Sequence, residues 1–521
     1  MVRKRVHWRI ALAGLLLGAA AIACDRGADE VIVITATFQP PTDAILPTTV
    51  VAIPSPSPVA ATAAPTRPVS APTDAPLTYI VQAGDSLTAI ALANNTTVET
   101  LLLLNEIANP DTLFEGQTLN LPGRPVQTAP STPLLPDGLL VRGPASAGFD
   151  AIAFANAQSG HLREMREVVD GIEMSGPAIV ERVSREFGVD ARVLLAMLEY
   201  RSRLLTNRTA SLEAGLYPVF APASLGDLGR TGLYRQLAWT ADRLNAGYYG
   251  RKYRGLEILE LTDGARYLLA DGLPPGTAAI QHVFSKMLAE PEWLQAVSPE
   301  GLLATYRSLF GDPFNAPPEA PVPANLVQPE LALPIGEDET WYFTGGPHGG
   351  WGSGSAWAAV DFAPPDDPAE VDGPCYVSSH FVTAAAAGVV VWSDGGVVIL
   401  DLDGDGNELT GWTILYLHIA SQDRVVEGTE LQPGNAIGRP SCEGGVSNGT
   451  HAHIARRYNG EWLPASCMEC TGSATPPPPM VLSGWQVVDL PGQEYQGYLV
   501  KGDELRIAEA ARGVAPNEVH R

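Results

Sequence analysis

Three proline-rich stretches interrupt this 521-residue chain at about residues 24–77, 123–149 and 313–336. No single hydrophobic core runs through such interruptions, so the chain must fold as several separate units. The 45 prolines and 52 glycines are concentrated enough to make linkers of these stretches. Residues 36–76 are mostly Pro, Thr, Ala and Ser with no hydrophobic period, which predicts a semi-extended tether. At about 3.1 Å per residue in the proline-rich limit, some forty residues would reach on the order of 100 Å. The blocks left between the interruptions are 1–23, 78–122, 150–312 and 337–521.

The formal charge of −25 argues against nucleic acid as a partner, because such a surface repels phosphate backbones. Residues 1–23 join a basic start, MVRKRVHWR, to a short apolar run. That run is too short to span a bilayer comfortably and predicts a signal peptide. Its end, Ala21-Ile22-Ala23-Cys24, resembles a bacterial lipoprotein signal. The resemblance implies cleavage before Cys24, lipidation of its sulfur and attachment of the mature chain to a membrane from outside the cytoplasm. The other cysteines, Cys375, Cys442, Cys467 and Cys470, form an even set suited to an oxidising compartment. The expected pairs are Cys375–Cys442 and Cys467–Cys470. One CxxC is too few for a four-thiolate zinc site.

Block 78–122 opens with the alternating Tyr79-Ile80-Val81 and a turn with a helix N-cap at Gly84-Asp85-Ser86. Two short helical faces follow, then a closing strand at Thr118–Leu121. The positions Val81, Gly84-Asp85, Ile90-Ala91, Leu104-Asn105, Asn109-Pro110, Gly116-Gln117 and Leu121-Pro122 resemble a LysM domain. That resemblance implies a βααβ module binding glycans that contain N-acetylglucosamine, chiefly peptidoglycan or chitin.

Block 150–312 predicts an all-α domain. Asp190 caps a run with apolar residues at 193, 194, 197, 198, 204 and 205, and further helical patterns follow. The run distantly resembles the active-site helix of lysozyme-like lytic transglycosylases. There the catalytic Glu directly precedes a Ser, whereas here Arg201 precedes Ser202. A guanidinium is no proton donor for this chemistry, so the domain is expected to be non-catalytic. Glu199 and Glu213 are the residues left to test as an acid.

Block 337–521 reads as short strands broken by Gly, Pro and Asn, a mainly antiparallel β domain. It holds the chemistry-bearing pattern. His348 lies thirteen residues before Asp361, His418 ends the apolar run Ile414–Leu417, and His451 and His453 form an HxH pair. In a strand, side chains two apart point the same way, so both imidazoles of the pair would face one groove. Strand ends that deliver His and Asp to one surface can build a rigid metal site.

Gly-Pro-His348, Val-Asp361-Phe, Tyr416-Leu-His418 and His451-Ala-His453 resemble the lysostaphin-type, or LytM, metallopeptidases. The commoner members place the first ligand four residues before the Asp, where this chain has Trp357. The beta-lytic and staphylolysin subgroup separates the two by a longer Gly- and Ser-rich loop, which residues 348–361 match. Cys442, nine residues before His451, corresponds to a disulfide cysteine of that subgroup. The resemblance implies Zn2+ held by His348, Asp361 and His453. It also implies His451 as the proton carrier, His418 steadying the oxyanion, and a cell-wall peptide cross-link, often beside glycine, as substrate. The alternative is a catalytically silent, peptidoglycan-binding regulator or scaffold of other wall hydrolases, and a third is an enzyme that processes a partner protein. Asp401, Asp403 and Asp405 open like a calcium loop, but Trp412 stands where a bidentate Glu would close it. The choice there lies between bound Ca2+ and a plain acidic hairpin turn.

Overall fold

The computed structural model describes residues 77–521, apart from 83, 94–97, 106, 108–112, 122–125, 222–228, 316–317, 319–320, 368, 469, 473 and 514–515. The expected signal peptide, the lipidation site Cys24, nearly all of the first tether, Asn109-Pro110 and Pro122 lie outside the described residues.

The first unit is β1 (Leu77–Ile80), α1 (Leu87–Ala93), α2 (Val98–Leu104) and β2 (Thr118–Leu121). The two strands pair antiparallel, Leu77 opposite Leu121, over a core of Val81, Leu87, Ile90, Ala91, Leu101, Leu119 and Leu121. Two polar side chains fix the turns. Asp85 accepts hydrogen bonds from Tyr79 Oη (2.7 Å) and Gln82 N (2.8 Å). The Asn105 amide exchanges bonds with the Asn120 backbone (2.8 and 2.5 Å), tying the end of α2 to β2. The predicted βααβ order is what forms.

The middle region contains β3 (Val126–Thr128), α3 (Asp137–Leu140), α4 (Ala151–Ala157), β4 (Arg166–Val169), β5 (Ile172–Ser175), α5 (Gly176–Phe187), α6 (Ala191–Ser202) and α7 (Leu212–Leu216). It continues with α8 (Leu233–Tyr253), β6 (Ile258–Glu260), β7 (Arg266–Leu268), α9 (Pro275–Ser285), α10 (Glu290–Ala296) and α11 (Leu302–Phe310). Ser175 caps α5 by accepting from Ala178 N, and Asp190 caps α6 by accepting from Arg192 N. Residues Val193–Leu198 of α6 are all buried, so this helix lies at the centre. The region is helical but not all-α: β4 and β5 form a hairpin, and β3, β7 and β6 form a small sheet. Strands of three or four residues leave too short a pattern to detect by alternation.

The stretches expected as linkers are packed in part. In 123–149, β3 pairs with β7, and Leu134, Leu135, Leu139, Leu140 and Val141 are buried. In 313–336, Leu331, Leu333 and Ile335 enter the core of the C-terminal domain. Proline removes hydrogen-bond donors and fixes φ, but it does not prevent an extended segment from burying its apolar side chains.

The C-terminal domain has β8 (Thr340–His348), β9 (Ala359–Ala363), β10 (Val382–Thr383), β11 (Gly388–Asp394), β12 (Val397–Asp401), β13 (Trp412–Leu417), β14 (Glu430–Leu431) and β15 (Ala436–Gly438). It ends with β16 (Ala452–Tyr458), β17 (Glu461–Trp462), β18 (Val481–Leu482), β19 (Trp485–Leu490), β20 (Gln493–Lys501), β21 (Glu504–Ile507) and β22 (Glu518–His520). A nine-stranded antiparallel sheet runs β14-β11-β12-β13-β16-β9-β8-β22, with β17 also on β16. Strands β18 to β21 form a second sheet.

The main sheet is buried on both faces, which explains its near-continuous apolar runs. Val398, Leu400, Ile414, Tyr416 and Ile454 point into the domain's own core. Val397, Ile399, Leu415, Leu417 and Ala455 alternate with them and join a core shared with the helical region. Polar ties cross the same junction. Lys252 of α8 meets Glu461 at 2.5 Å, and Tyr253 Oη donates to that carboxylate at 3.0 Å. Trp462 Nε1 donates to Phe187 O, and the Arg457 guanidinium lies 3.6 Å from the Trp462 ring centroid.

Candidate metal centre

Three neighbouring strands deliver the three expected ligands. Cross-strand pairing sets His453 of β16 opposite Asp361 of β9, and Asp361 opposite Gly345 of β8, with His348 at the end of that strand. A Cβ at Gly345 would collide with the Asp361 carboxylate, so glycine is what leaves room for it. His348, Asp361 and His453 are all buried, and their ligand atoms lie within 4.8 Å of one another.

The donor set is the informative part. His348 Nδ1 faces the Gly346 carbonyl at 2.8 Å and His453 Nε2 faces the Gly350 carbonyl at 3.1 Å. A carbonyl only accepts, so each of these nitrogens carries the hydrogen, a tautomer assigned from the hydrogen-bond network. The other nitrogens, His348 Nε2 and His453 Nδ1, then present lone pairs to each other across 2.9 Å. Asp361 Oδ1 stands 3.3 and 3.2 Å from these two atoms, buried and without a hydrogen-bond partner. Three electron-rich atoms converge with no donor among them, an arrangement that a cation relieves. Burial opposes charge on His348, but Asp361 and the Gly346 carbonyl outweigh it and raise its pKa. Burial also opposes the Asp361 carboxylate, yet His348 and His451 hold it well below the usual range. Both shifts reflect attraction between the Asp361 carboxylate and the imidazoles around it.

His451 and His418 lie beside the same three residues. His451 Nε2 is 3.6 Å from Asp361 Oδ1, and its ring centroid is 4.5 Å from that of His418. Each is fixed through Nδ1, His451 by Gly449 O at 2.8 Å and His418 by Glu443 O at 3.1 Å. His418 holds a left-handed backbone with φ of 65°, a strained turn directly after β13. Burial, with His451 and His453 nearby, pushes the His418 pKa down to about 3. With its hydrogen on Nδ1, neutral His418 offers a lone pair at Nε2.

The Gly- and Ser-rich loop between His348 and Asp361 is held by the helical region. Asp242 of α8 accepts from Gly354 N at 2.7 Å, and a Cβ at Gly354 would collide with the Asp242 backbone. The tip of the β19–β20 hairpin reaches the same place. Tyr495 stacks on His348 with centroids 4.3 Å apart, and Glu494 accepts from Gly349 N at 3.1 Å. Tyr495 also has a left-handed backbone, φ 66°, while 52% of its surface stays exposed. Sequence reasoning missed Asp242, Glu494 and Tyr495, since nothing in their neighbourhoods points to a site far away in the chain.

The remaining expected residues fall elsewhere. Cys375 is bonded to Cys442 with Cα atoms 5.6 Å apart, and Cys467 to Cys470 with Cα atoms 5.2 Å apart. Glu199 accepts from Leu205 N (3.0 Å), Thr206 N (3.2 Å) and Thr206 Oγ1 (2.5 Å), so it caps the chain leaving α6. Glu213 sits exposed in α7, and Arg201 donates to Val219 O at 2.8 Å. Asp401, Asp403 and Asp405 cluster at the end of β12, across the β12–β13 pair from the end that carries His418. No helix among the described residues is long and apolar enough to cross a membrane.

Comparison with known proteins divides the chain in a similar way. Residues 79–122 match the LysM domain family, and residues 133–323 match the family described as LasA, N-terminal domain. The chain thus carries a LysM domain followed by a LasA-type domain. The second match begins inside the stretch expected as a linker and covers the whole helical region. Among solved structures, the chain is similar to the M23 metalloprotease pseudoalterin from the deep sea, at 21% identity over 37% of this chain and 100% of that one, TM-score 0.28. It is also similar to a putative peptidase M23 from Pseudomonas aeruginosa (22% identity, 27% and 49% covered, TM-score 0.18). A third is the catalytic domain of lysostaphin from Staphylococcus simulans (23% identity, 23% and 82% covered, TM-score 0.16).

Proposed function

We propose that this protein is an envelope-anchored zinc endopeptidase that hydrolyses peptide cross-links of bacterial peptidoglycan. The LysM domain holds the glycan, and the lipid on Cys24 keeps the enzyme outside the cytoplasmic membrane. The observation that carries the reading is the convergence of His348 Nε2, His453 Nδ1 and Asp361 Oδ1, three buried acceptors without a donor. Two nitrogens and one carboxylate oxygen are the donor set of a catalytic zinc with an open position. Zinc held there would supply Lewis-acid polarisation of a peptide carbonyl and a water acidified toward a pKa of about 7.

The chain's own residues do the rest. His451, fixed through Nδ1, takes the proton of the attacking water at Nε2 and returns it to the leaving amine. Its Nε2 stands 3.6 Å from Asp361 Oδ1, within reach of a water held at the centre. His418 stays neutral and orients the water through its Nε2 lone pair. Tyr495 narrows the groove over His348, which suits a substrate with small side chains such as glycine.

The test is release of soluble muropeptides from purified sacculi by the full chain, with and without a zinc chelator. Release that stops on chelation and returns with Zn2+ supports the reading. A chain with stoichiometric zinc that releases nothing is the silent regulator instead. Cleavage of a glycine-rich polypeptide but not of sacculi would point to processing of a partner protein.

A further inference from the structure

The acidic loop that joins β12 to β13 lies outside the histidine centre and has no part in its chemistry. Asp401, Asp403 and Asp405 bring carboxylate oxygens within 4.8 Å of one another. Asp401 is fully buried, at 0% exposure, and its Oδ1 finds no hydrogen-bond partner. Its other oxygen accepts from Gly406 N at 2.9 Å, which fixes the carboxylate beside Asp403 and Asp405. A buried carboxylate beside two more is unfavourable as an anion: burial, with Asp403 and Asp405 nearby, pushes the Asp401 pKa up to about 6. A cation shared by the three carboxylates relieves the same repulsion in place of a proton. The donors are all oxygen, which selects a hard ion over zinc.

The loop also has a mechanical position. Glu408 follows the cluster and is nearly buried. Its Oε1 meets Arg142 Nη1 at 2.7 Å and Arg185 Nε at 2.7 Å, both from the helical region. Thr410 Oγ1 donates to Asp405 at 2.6 Å, and Asp403 packs against Gly411, so the carboxylates and the Glu408 turn belong to one folded loop. Beyond it, Leu402 N pairs with Trp412 O at 3.0 Å.

We propose that residues 401–411 bind one Ca2+ through Asp401, Asp403 and Asp405, and that the bound ion fixes Glu408 in its clasp on Arg142 and Arg185. The loop is open and short of a bidentate Glu, so affinity belongs to the weak extracellular range, Kd about 10⁻⁴–10⁻³ M. The site is independent of the histidine centre and stands whether or not that centre hydrolyses peptides.

The test uses the full chain, stripped of other divalent ions and kept saturated with zinc. Ca2+ is titrated by calorimetry, and Tb3+ is titrated by luminescence sensitised through Trp412. One ion per chain is expected, with Asp403→Asn and Asp405→Asn each weakening binding by about tenfold or more. Both side chains are exposed, so the folded state survives these changes. Asp372→Asn, an exposed acid elsewhere, should bind as the parent does. Hydrogen exchange should slow at residues 407–411 and at the C-terminal end of α5 when Ca2+ is added. Absence of binding up to about 10 mM Ca2+ overturns the site. Equal affinity in Asp403→Asn, or Mg2+ bound as tightly as Ca2+, overturns it as well. Binding with no change in exchange at these residues overturns the clasp.

Discussion

Asp242 belongs to the helical region, yet it holds the loop beside the proposed metal centre. It is only 8% exposed, and its Oδ1 accepts from Gly354 N at 2.7 Å. Gly354 lies in the loop whose Gly350 carbonyl fixes the His453 tautomer at 3.1 Å. Asp242→Ala removes the acceptor and leaves a buried N–H unpaired, which costs about 1–3 kcal/mol. The loop can recover that energy only by moving Gly354, which draws Gly350 away from His453. Supporting partners of a metal ligand are commonly worth about 10- to 100-fold in metal affinity. The energy above corresponds to about 5- to 150-fold, so the two ranges agree. The assay is competition for Zn2+ between the full chain and a chromogenic chelator, with circular dichroism to check the fold. Ser353→Ala loses a 3.4 Å contact with Asp242 and a 3.2 Å bond from Arg243 Nη2, neither of them to Gly354, and should weaken zinc by less than about threefold. Zinc affinity unchanged within about twofold in folded Asp242→Ala would refute the idea that α8 supports the centre.

Other expectations follow from the same geometry. His451→Ala should keep its zinc while muropeptide release falls by about 10²-fold or more, read by metal analysis beside the sacculus assay. Gly345→Ala should lose zinc, because its methyl group takes the place of the Asp361 carboxylate; a spectroscopic Co2+ titration would register the change. Lys252→Met leaves Glu461 charged and buried without its cation and should destabilise the chain by about 3–5 kcal/mol. Adding Glu461→Leu should restore part of that loss, which chemical denaturation would measure.

Much of the geometry of the proposed metal centre was legible because it depends on strand alternation. The HxH spacing puts His451 and His453 on one side, and apolar runs marked the strands that carry Asp361 and His418. The long His348–Asp361 loop was legible from its glycines, although the sequence did not give their reason. Those glycines serve close packing against α8 and the Trp462 ring. Hydrogen-bond direction was not legible: only the Glu443 carbonyl beside His418 Nδ1 makes its Nε2 an acceptor. Tyr495 and Glu494 arrive from a hairpin whose place depends on the packing of two sheets, and no local pattern encodes that. The helical region was read correctly in its long helices, where the 3.6-residue period persists. It was misread at its edges, where prolines suggested linkers and the apolar residues between them are buried. The same bias hid the shared core, since alternating residues of β12, β13 and β16 face two different partners.

The account depends most directly on whether the two lone pairs and the Asp361 oxygen hold one ion. Zinc should be measured by elemental analysis in the purified full chain and in His348→Ala, with folding checked for both. The proposed function predicts one zinc per parent chain and none in the variant. A variant that retains full occupancy, or a folded parent chain that takes up no zinc, would contradict it.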